Sequence, residues 1–367
     1  MKLLFSFLII LHGAIHLLGF LKAFEISDLP QFTYNFSKLS GLFWLVAAVL
    51  LFISGIGFIK KESWWSWLAM ISIVISTVLI ITVWKDAKFG MIANSIILMV
   101  AIVSMLSIRF NNKTDHEISK ILEHTKTIAN TKVSETEIAD LPLAVKRWLE
   151  ASGVVGKEKT LAVWLKQKAK MKMKAGQEKW TDATAEQYFT IRHPAFVWKV
   201  KMNMPPFIKI TGRDKFMDGK GEMQIKMFSA INLVNEKGGK MDEGTLQRFL
   251  GEIVWFPSAA LNPFITWETI DKHSAKASME YKGTTASGTF YFNENGDFIR
   301  YSALRFKGNE ADAKRYEWII EVKEHAIMND IKIPVKMTAT WKLEEGDWTW
   351  LDLEITDIKY NAKLFAD

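Results

Sequence analysis

Four apolar runs, at residues 3–20, 39–59, 64–84 and 89–108, fill the start of the chain, and after Arg109 the pattern turns polar. A helix needs about 20 apolar residues to cross the hydrocarbon core of a bilayer, so each run predicts a transmembrane helix. KKES joins the second run to the third and KDAK the third to the fourth, links short enough to make antiparallel neighbours. The link over residues 22–38 is longer, and its Pro30, Phe32, Tyr34 and Phe36 suit the membrane interface. Gly41, Ser54, Gly55 and Gly57 in the second run permit close helix contact. The simplest assembly is a four-helix bundle. MKLLFSFLII has the charge and apolar stretch of a signal peptide, but no small-x-small cleavage pattern follows, so it reads as a retained first helix.

Beyond the runs, a polar helix is expected at about residues 115–129, a membrane-surface stalk with Ile118, Ile121, Leu122 and Ile128 near one face. Another starts at Pro142, carries Leu143, Val145, Trp148 and Leu149, and stops at Gly153. From Leu161 the period becomes two. In LKQKAKMKMKA, Lys166, Lys168, Lys170, Lys172 and Lys174 alternate with Gln167, Ala169, Met171, Met173 and Ala175, which places one set on each face of a strand. Further strands are expected at 187–192, 196–203, 207–216, 222–233, 265–270, 275–281, 285–292, 298–306, 316–323, 332–342 and 348–359. Asp218-Gly219, Asn295-Gly296 and Glu345-Gly346-Asp347 mark turns between them, and the short links indicate antiparallel order. One helix interrupts the series at about 242–255, with Asp242 as its N-cap and Pro257 past its end.

The fold class that follows is a membrane α-helical bundle of four transmembrane helices plus an α+β soluble domain. The latter is a large curved antiparallel sheet, half-barrel-like, with an inserted helix, because a twisted sheet this long curls to protect its edges. The divisions are 1–109 for the transmembrane domain, 110–158 for a helical linker and 159–367 for the β-rich domain.

Charge and composition narrow the partners. The net charge is +7, but Lys2, Lys22, Lys38, Lys60, Lys61, Lys85, Lys88 and Arg109 against Glu25, Asp28, Glu62 and Asp86 put +4 of it in the membrane part. The remainder lacks the concentrated basic field of a nucleic-acid binder, and the lysine strand face reads as a solvated one. Five basic residues on one side of the bilayer face four on the other, which leans towards a cytoplasmic C-terminal domain and leaves its side undecided. The absence of cysteine excludes disulfides, thiolate metal sites and a thiol nucleophile. No G-x-S-x-G, H-E-x-x-H, P-loop or dinucleotide fingerprint occurs, which argues against a common hydrolase or nucleotide enzyme and implies no cofactor.

Three features carry candidate chemistry. His12 and His16 share one face of the first run, either as a metal, haem or proton-relay site or as interhelical hydrogen bonding with Asn94 or Asp86 as partners. The latter reading is the simpler, since no second ligand cluster is visible. Arg248 and Glu252, with Glu243 a turn earlier, form a charged set that suits a polar head group in a cavity and, more commonly, a helix-surface ion pair. Arg213 and Asp214 are neighbours in a strand and point to opposite faces. The many tryptophans and methionines of the soluble part suit an apolar cavity or a plain core, and Trp255, Trp267 and Met223 are candidates for a lining.

The segments HGAIHLLGFLKAF, KDAKFG, LPLAVKRWLEASGVVGKE, GRDKFMDGKGEM and DEGTLQRFLGEIVWFPSAAL resemble an uncharacterised bacterial membrane-protein family with four N-terminal transmembrane helices and a C-terminal domain of unknown function. The resemblance implies a multi-pass protein of the bacterial inner membrane and transfers no catalytic residue. The strand–helix order is also similar to the half-barrels of periplasmic lipoprotein carriers, an analogy of fold and not of function. Three readings stand: a membrane-anchored binder of a lipid or other hydrophobic small molecule, a membrane redox or metal/haem protein using His12 and His16, and a structural or interaction module without ligand. The bilayer itself is the partner common to all three.

Overall fold

The structure, a computed structural model, describes residues 2–27, 29, 33–34, 36–123, 125, 131–204 and 208–361. Pro30, Phe32, Ile128 and Phe207, on which parts of the sequence reading fall, lie outside the described residues. The chain divides into two compact units, Met1–Asn112 and Lys113–Asp367.

The first unit consists of α1 (Lys2–Ala23), α2 (Lys38–Lys60), α3 (Trp65–Thr82), a single turn α4 (Trp84–Ala87) and the start of α5 (Gly90–Glu123). All but α4 are long and apolar enough to cross a membrane. Small residues set how closely the helices approach. A Cβ at Gly19 would lie 2.4 Å from the Trp44 indole, and one at Gly41 would lie 2.4 Å from the Ala23 Cβ. Ile9, Leu51, Trp65, Ala69, Ile73, Ile97 and Ala101 form one apolar core of the bundle.

The separate stalk helix expected from residue 115 is instead the end of α5. RFNNKTDHEISK contains no Pro or Gly, so nothing in it stops the helix. In the second unit the last turns of α5 put Ile118 and Ile121 against Ala195 and Val197. Two shorter helices follow, α6 (Glu135–Ile138), with a Ser134 capping box, and α7 (Leu143–Ser152), closed by Gly153 at φ 74°.

Thirteen antiparallel strands come next. They are β1 (Ala162–Met171), β2 (Thr181–Thr190), β3 (Ala195–Met204), β4 (Ile208–Met217), β5 (Lys220–Met227), β6 (Ile231–Lys237), β7 (Ile265–Thr269), β8 (Ser274–Tyr281), β9 (Thr284–Phe292), β10 (Phe298–Phe306), β11 (Arg315–Met328), β12 (Ile331–Leu343) and β13 (Gly346–Tyr360). Their order is β6-β5-β4-β3-β2-β1-β13-β12-β11-β10-β9-β8-β7. Every neighbour is consecutive in sequence except β1 with β13, so a single long-range pairing joins two meanders into one sheet. The strand expected over 222–233 is two strands. Phe228 and Ser229, at φ 53° and 57°, turn the chain without the Gly or Asn that signals such a hairpin.

The helix α8 (Gly239–Glu252) links β6 to β7, the two edges of the sheet. It packs on β4 and β5 and also on β9 and β10, which lie far apart in strand order, so the sheet has to curl around it. Asp242 is not its N-cap. The helix begins at Gly239, and the Asp242 carboxylate accepts from the Gly221 N–H at 2.8 Å and from Lys220 Nζ at 3.0 Å, tying α8 to β5. A Cβ on Gly221 would lie 2.6 Å from the Met241 carbonyl oxygen, so this approach requires glycine. The core between helix and sheet is aromatic, with Phe189, Phe249, Trp255, Phe256, Phe290 and Tyr301 fully buried. The alternate lysines Lys166, Lys168 and Lys170 face outward from β1.

Candidate binding site

Strand register assembles the site. Gln187 on β2 pairs with Trp198 on β3, Trp198 with Asp214 on β4, and Asp214 with Met223 on β5, giving a row across four strands. Opposite this row, α8 presents Arg248 and Glu252, one turn apart and therefore on one face. Arg248 Nη1 donates to Asp214 Oδ2 at 2.5 Å and Nε to Glu252 Oε1 at 2.8 Å. Gln187 Nε2 donates to Glu252 Oε2 at 2.8 Å, and Trp198 Nε1 to Gln167 Oε1 at 2.8 Å. The Arg248 guanidinium also lies over the rings of Trp198 and Phe196, at 4.8 and 5.1 Å.

Burial controls the charge state here. It pushes Asp214 and Glu252 above the ordinary carboxylate range, more than the attraction of Arg248 lowers them. Burial acts to lower Arg248 as well, but the charges of Glu252 and Asp214 outweigh it and leave its pKa raised. The i,i+4 pair read as a helix-surface contact is thus an interior one.

Beside this wall lies a cavity of about 280 Å³. That is near the lower end of the roughly 300–1,000 Å³ spanned by small-molecule sites. Trp198, Trp255, Trp318, Trp341, Trp348 and Trp350 line it, with Met171, Met223, Met337, Leu351 and Leu353 and the charged Lys172, Arg213, Asp214, Arg248, Glu252 and Arg305. Among the described residues, Asp214 Oδ1, Arg305 Nε and the indole N–H groups of Trp318, Trp348 and Trp350 are buried without a hydrogen-bond partner. Each such group costs about 1–3 kcal/mol when left unmet.

Of the residues singled out in the sequence, Met223, Arg248, Glu252 and Trp255 therefore line one cavity. Trp267 does not. Its Nε1 donates to the Ala260 carbonyl oxygen at 3.0 Å, and its ring meets Phe290 edge-on at 5.0 Å. Glu243 points away to Arg315, whose Nη2 donates to it at 2.7 Å. Arg213 takes the face opposite Asp214, where its Nη2 donates to Glu222 Oε1 at 2.7 Å and its Nε lies 3.3 Å from Glu117 Oε2. Lys215 donates to Glu117 Oε1 at 2.7 Å, so this second ionic cluster fastens the end of α5 to the sheet.

The residues missed are Gln167, Gln187, Trp198, Asp214, Arg305 and Trp318. A signal was present for three. Gln167 shares a strand phase with the buried Leu165 and Ala169, Gln187 with Ala185 and Phe189, and Asp214 with Ile210 and Phe216. A polar residue in the inward phase of a strand needs an inward partner.

The histidine pair occupies a different environment. In the bundle, His12 Nε2 lies 2.7 Å from Asn94 Oδ1, His16 Nδ1 2.8 Å from the His12 carbonyl oxygen and His16 Nε2 2.7 Å from Ser76 Oγ. Asn94 Nδ2 donates to Thr77 Oγ1 at 3.1 Å. Neutral rings satisfy these contacts when His12 carries its proton on Nε2 and His16 on Nδ1, with the Ser76 hydroxyl donating to His16. Asn94 is the partner expected for the pair. Asp86 is not, since it accepts from the Thr33 N–H at 2.7 Å. Among the described residues no group of three or more His, Cys, Asp or Glu is arranged to hold a metal ion.

Residues 139–360 match the model of a family described as a family of unknown function (DUF6920). A crystal structure of a LolA superfamily protein from Nitrosomonas europaea aligns with 61% of this chain and 97% of its own, at 11% identity and a TM-score of 0.32. No curated protein matches the chain.

Proposed function

We propose, for a chain that belongs to the DUF6920 family of unknown function, that the half-barrel is a membrane-anchored receptacle for a lipid or similar hydrophobic small molecule. The observation that carries this reading is the cavity itself. Six tryptophans, with methionines and leucines, surround an interior space of about 280 Å³ and meet a buried ionic wall on one side. Apolar walls with a few convergent polar groups are what a small-molecule site requires. Met223 and Trp255 contact the apolar part of the ligand, and Arg248 with Glu252 forms the polar wall. A sheet whose concave face were only a core would leave neither this space nor so many indole donors unpaired.

Native mass spectrometry of the full chain, purified in detergent, tests the reading together with uptake of a fluorescent fatty acid. One bound molecule per chain is expected, displaced by unlabelled lipid and diminished by Ala339→Leu, which places added bulk in the cavity wall. The reading fails if no lipid co-purifies and the probe is not taken up, or if uptake is indifferent to Ala339→Leu and to a second filling change, Met337→Trp.

A further inference from the structure

Among the described residues, Arg305 is the arginine of the cavity that no carboxylate holds; Lys172 also lines the cavity, with its ammonium 4.8 Å from the Trp180 ring centroid. Arg248 engages both Asp214 and Glu252, whereas Arg305 makes no ion pair among the described residues. Its side chain leaves β10 and lies over the Trp318 ring at 4.2 Å, with the Trp341 ring at 5.7 Å. Nη2 donates to the Gly244 carbonyl oxygen at 2.8 Å, and the buried Nε has no partner among the described residues. A guanidinium carries five N–H donors in the plane of its fork. Stacking on an indole uses the face and leaves that edge free to bind an acceptor.

A second observation falls at the same place. The indole N–H of Trp318, the ring that Arg305 covers, is also buried without a partner among the described residues. Two unmet donors from adjacent side chains call for an acceptor oxygen, and because one of them is cationic a charged oxygen makes the stronger bond. Burial lowers the Arg305 pKa to about 10, which leaves it protonated at neutral pH.

We infer that Arg305 is the anion-recognition residue of the cavity, and that the ligand is an amphiphile with a carboxylate or phosphate head. This rests on the receptacle reading above and assigns the head group to a different arginine. Arg248 is unsuited to the task because two carboxylates already occupy its Nη1 and Nε. The apolar side chains of Trp341, Trp348, Trp350 and Leu353 line the same cavity and suit the apolar part of such a ligand. The anionic oxygens then meet the Arg305 edge and the Trp318 N–H together.

The test titrates the full chain in detergent with anthroyloxy-labelled stearic acid, its methyl ester and an alkyl phosphate of matched length. The acid is expected to bind about tenfold or more tightly than the ester, since a hydrogen-bonded charge is worth that much. Arg305→Gln should bring the acid-to-ester ratio to about one, and Arg305→Lys should retain part of the preference. The ratio of acid to phosphate identifies which head group the site prefers. Equal binding of acid and ester by the unaltered chain overturns the inference and leaves the receptacle standing, as does an Arg305→Gln chain that keeps the preference. If Arg305→Gln does not fold, Arg305→Lys decides, and an acid-to-ester ratio unchanged from that of the unaltered chain overturns the assignment to Arg305. Failure of every probe to bind removes the receptacle reading and the inference with it.

Discussion

His16 in the bundle and Arg248 in the half-barrel are both polar interior side chains set one helical turn from a companion, His12 and Glu252. Their networks end differently. In the bundle both nitrogens of His16, Nε2 of His12, and the amide of Asn94 meet an oxygen or a hydroxyl, while among the described residues the Trp44 indole N–H beside His16 and the Ser66 hydroxyl are buried without a partner. In the half-barrel the network stops short, and among the described residues Asp214 Oδ1, Arg305 Nε and three indole N–H groups of the cavity wall are unmet. A network whose members meet one another, as the histidines and Asn94 do, is accounted for by the packing of the helices. An open one beside a cavity is stable only at a cost that a bound ligand can relieve.

The largest effect separating the two regions is expected from Asp214→Ala. It removes one of the two carboxylates on Arg248 and leaves a buried cation half paired. Breaking a buried ion pair on one side typically costs about 3–5 kcal/mol, and the remaining Glu252 holds the loss to roughly 3 kcal/mol. Thermal unfolding of the full chain, followed by tryptophan fluorescence, should show a melting point lower by several degrees, and saturating fatty acid should recover part of it. An unchanged melting point would mean that the ionic wall contributes nothing to the fold.

How much of this was legible along the chain depended on the distance over which each signal acts. The apolar runs and the period-two strands are local, so four helices and a curved antiparallel sheet with an inserted helix followed directly. Asp218-Gly219 was equally readable, because both residues take positive φ, at 55° and 78°. The split at Phe228-Ser229 was not, since that pair carries no turn chemistry. The site was half legible. Arg248, Glu252, Trp255 and Met223 stood out by type and spacing, but the partnership of Arg248 with Asp214 joins residues 34 positions apart through strand register. Trp267 shows the converse failure, because its side chain, of a type suited to a lining, is used in packing. Alternation tells which face a side chain takes and not what stands opposite it.

A second, smaller effect sets the cavity wall against the ionic cluster at the end of α5. Burial alone would raise Glu222, but the hydrogen bond and charge of Arg213, with Lys215 and Lys113, overcome it and hold Glu222 at about 2. Its folded pKa lies below its unfolded value near 4.5, so its contribution is complete above that value and is lost as pH falls towards 2. Asp214 and Glu252 have the opposite sign. Their folded pKa values are raised, so their contribution is complete below the ordinary carboxylate pKa and is lost as pH rises through the folded value. Stability, followed through the melting point, should therefore fall at both ends, by about 2 kcal/mol on the acid side. Glu222→Gln should flatten the acid limb alone, and Glu252→Gln the other alone. A single limb that responds to both variants would show that the two clusters act as one.

The smallest effect is expected in the closed network, from His16→Ala. Interhelical hydrogen bonds in membranes average about 0.6 kcal/mol and reach about 1.7 kcal/mol. Ser76 Oγ lies 3.0 Å from Asn94 Oδ1, so when His16 is removed the hydroxyl turns its proton to Asn94 and no acceptor is stranded. The loss of hydrogen bonding is then about 1 kcal/mol, with a further term for the space left beside Trp44, whose ring lies 5.0 Å from that of His16. On the receptacle proposal fatty-acid uptake should be unchanged, because the polar groups lining the cavity belong to α8 and the sheet. Metal analysis and an absorption spectrum of both chains make the comparison decisive. A metal or haem signal in the unaltered chain that disappears in His16→Ala would turn the closed network into a ligand site and reverse the contrast between the two regions.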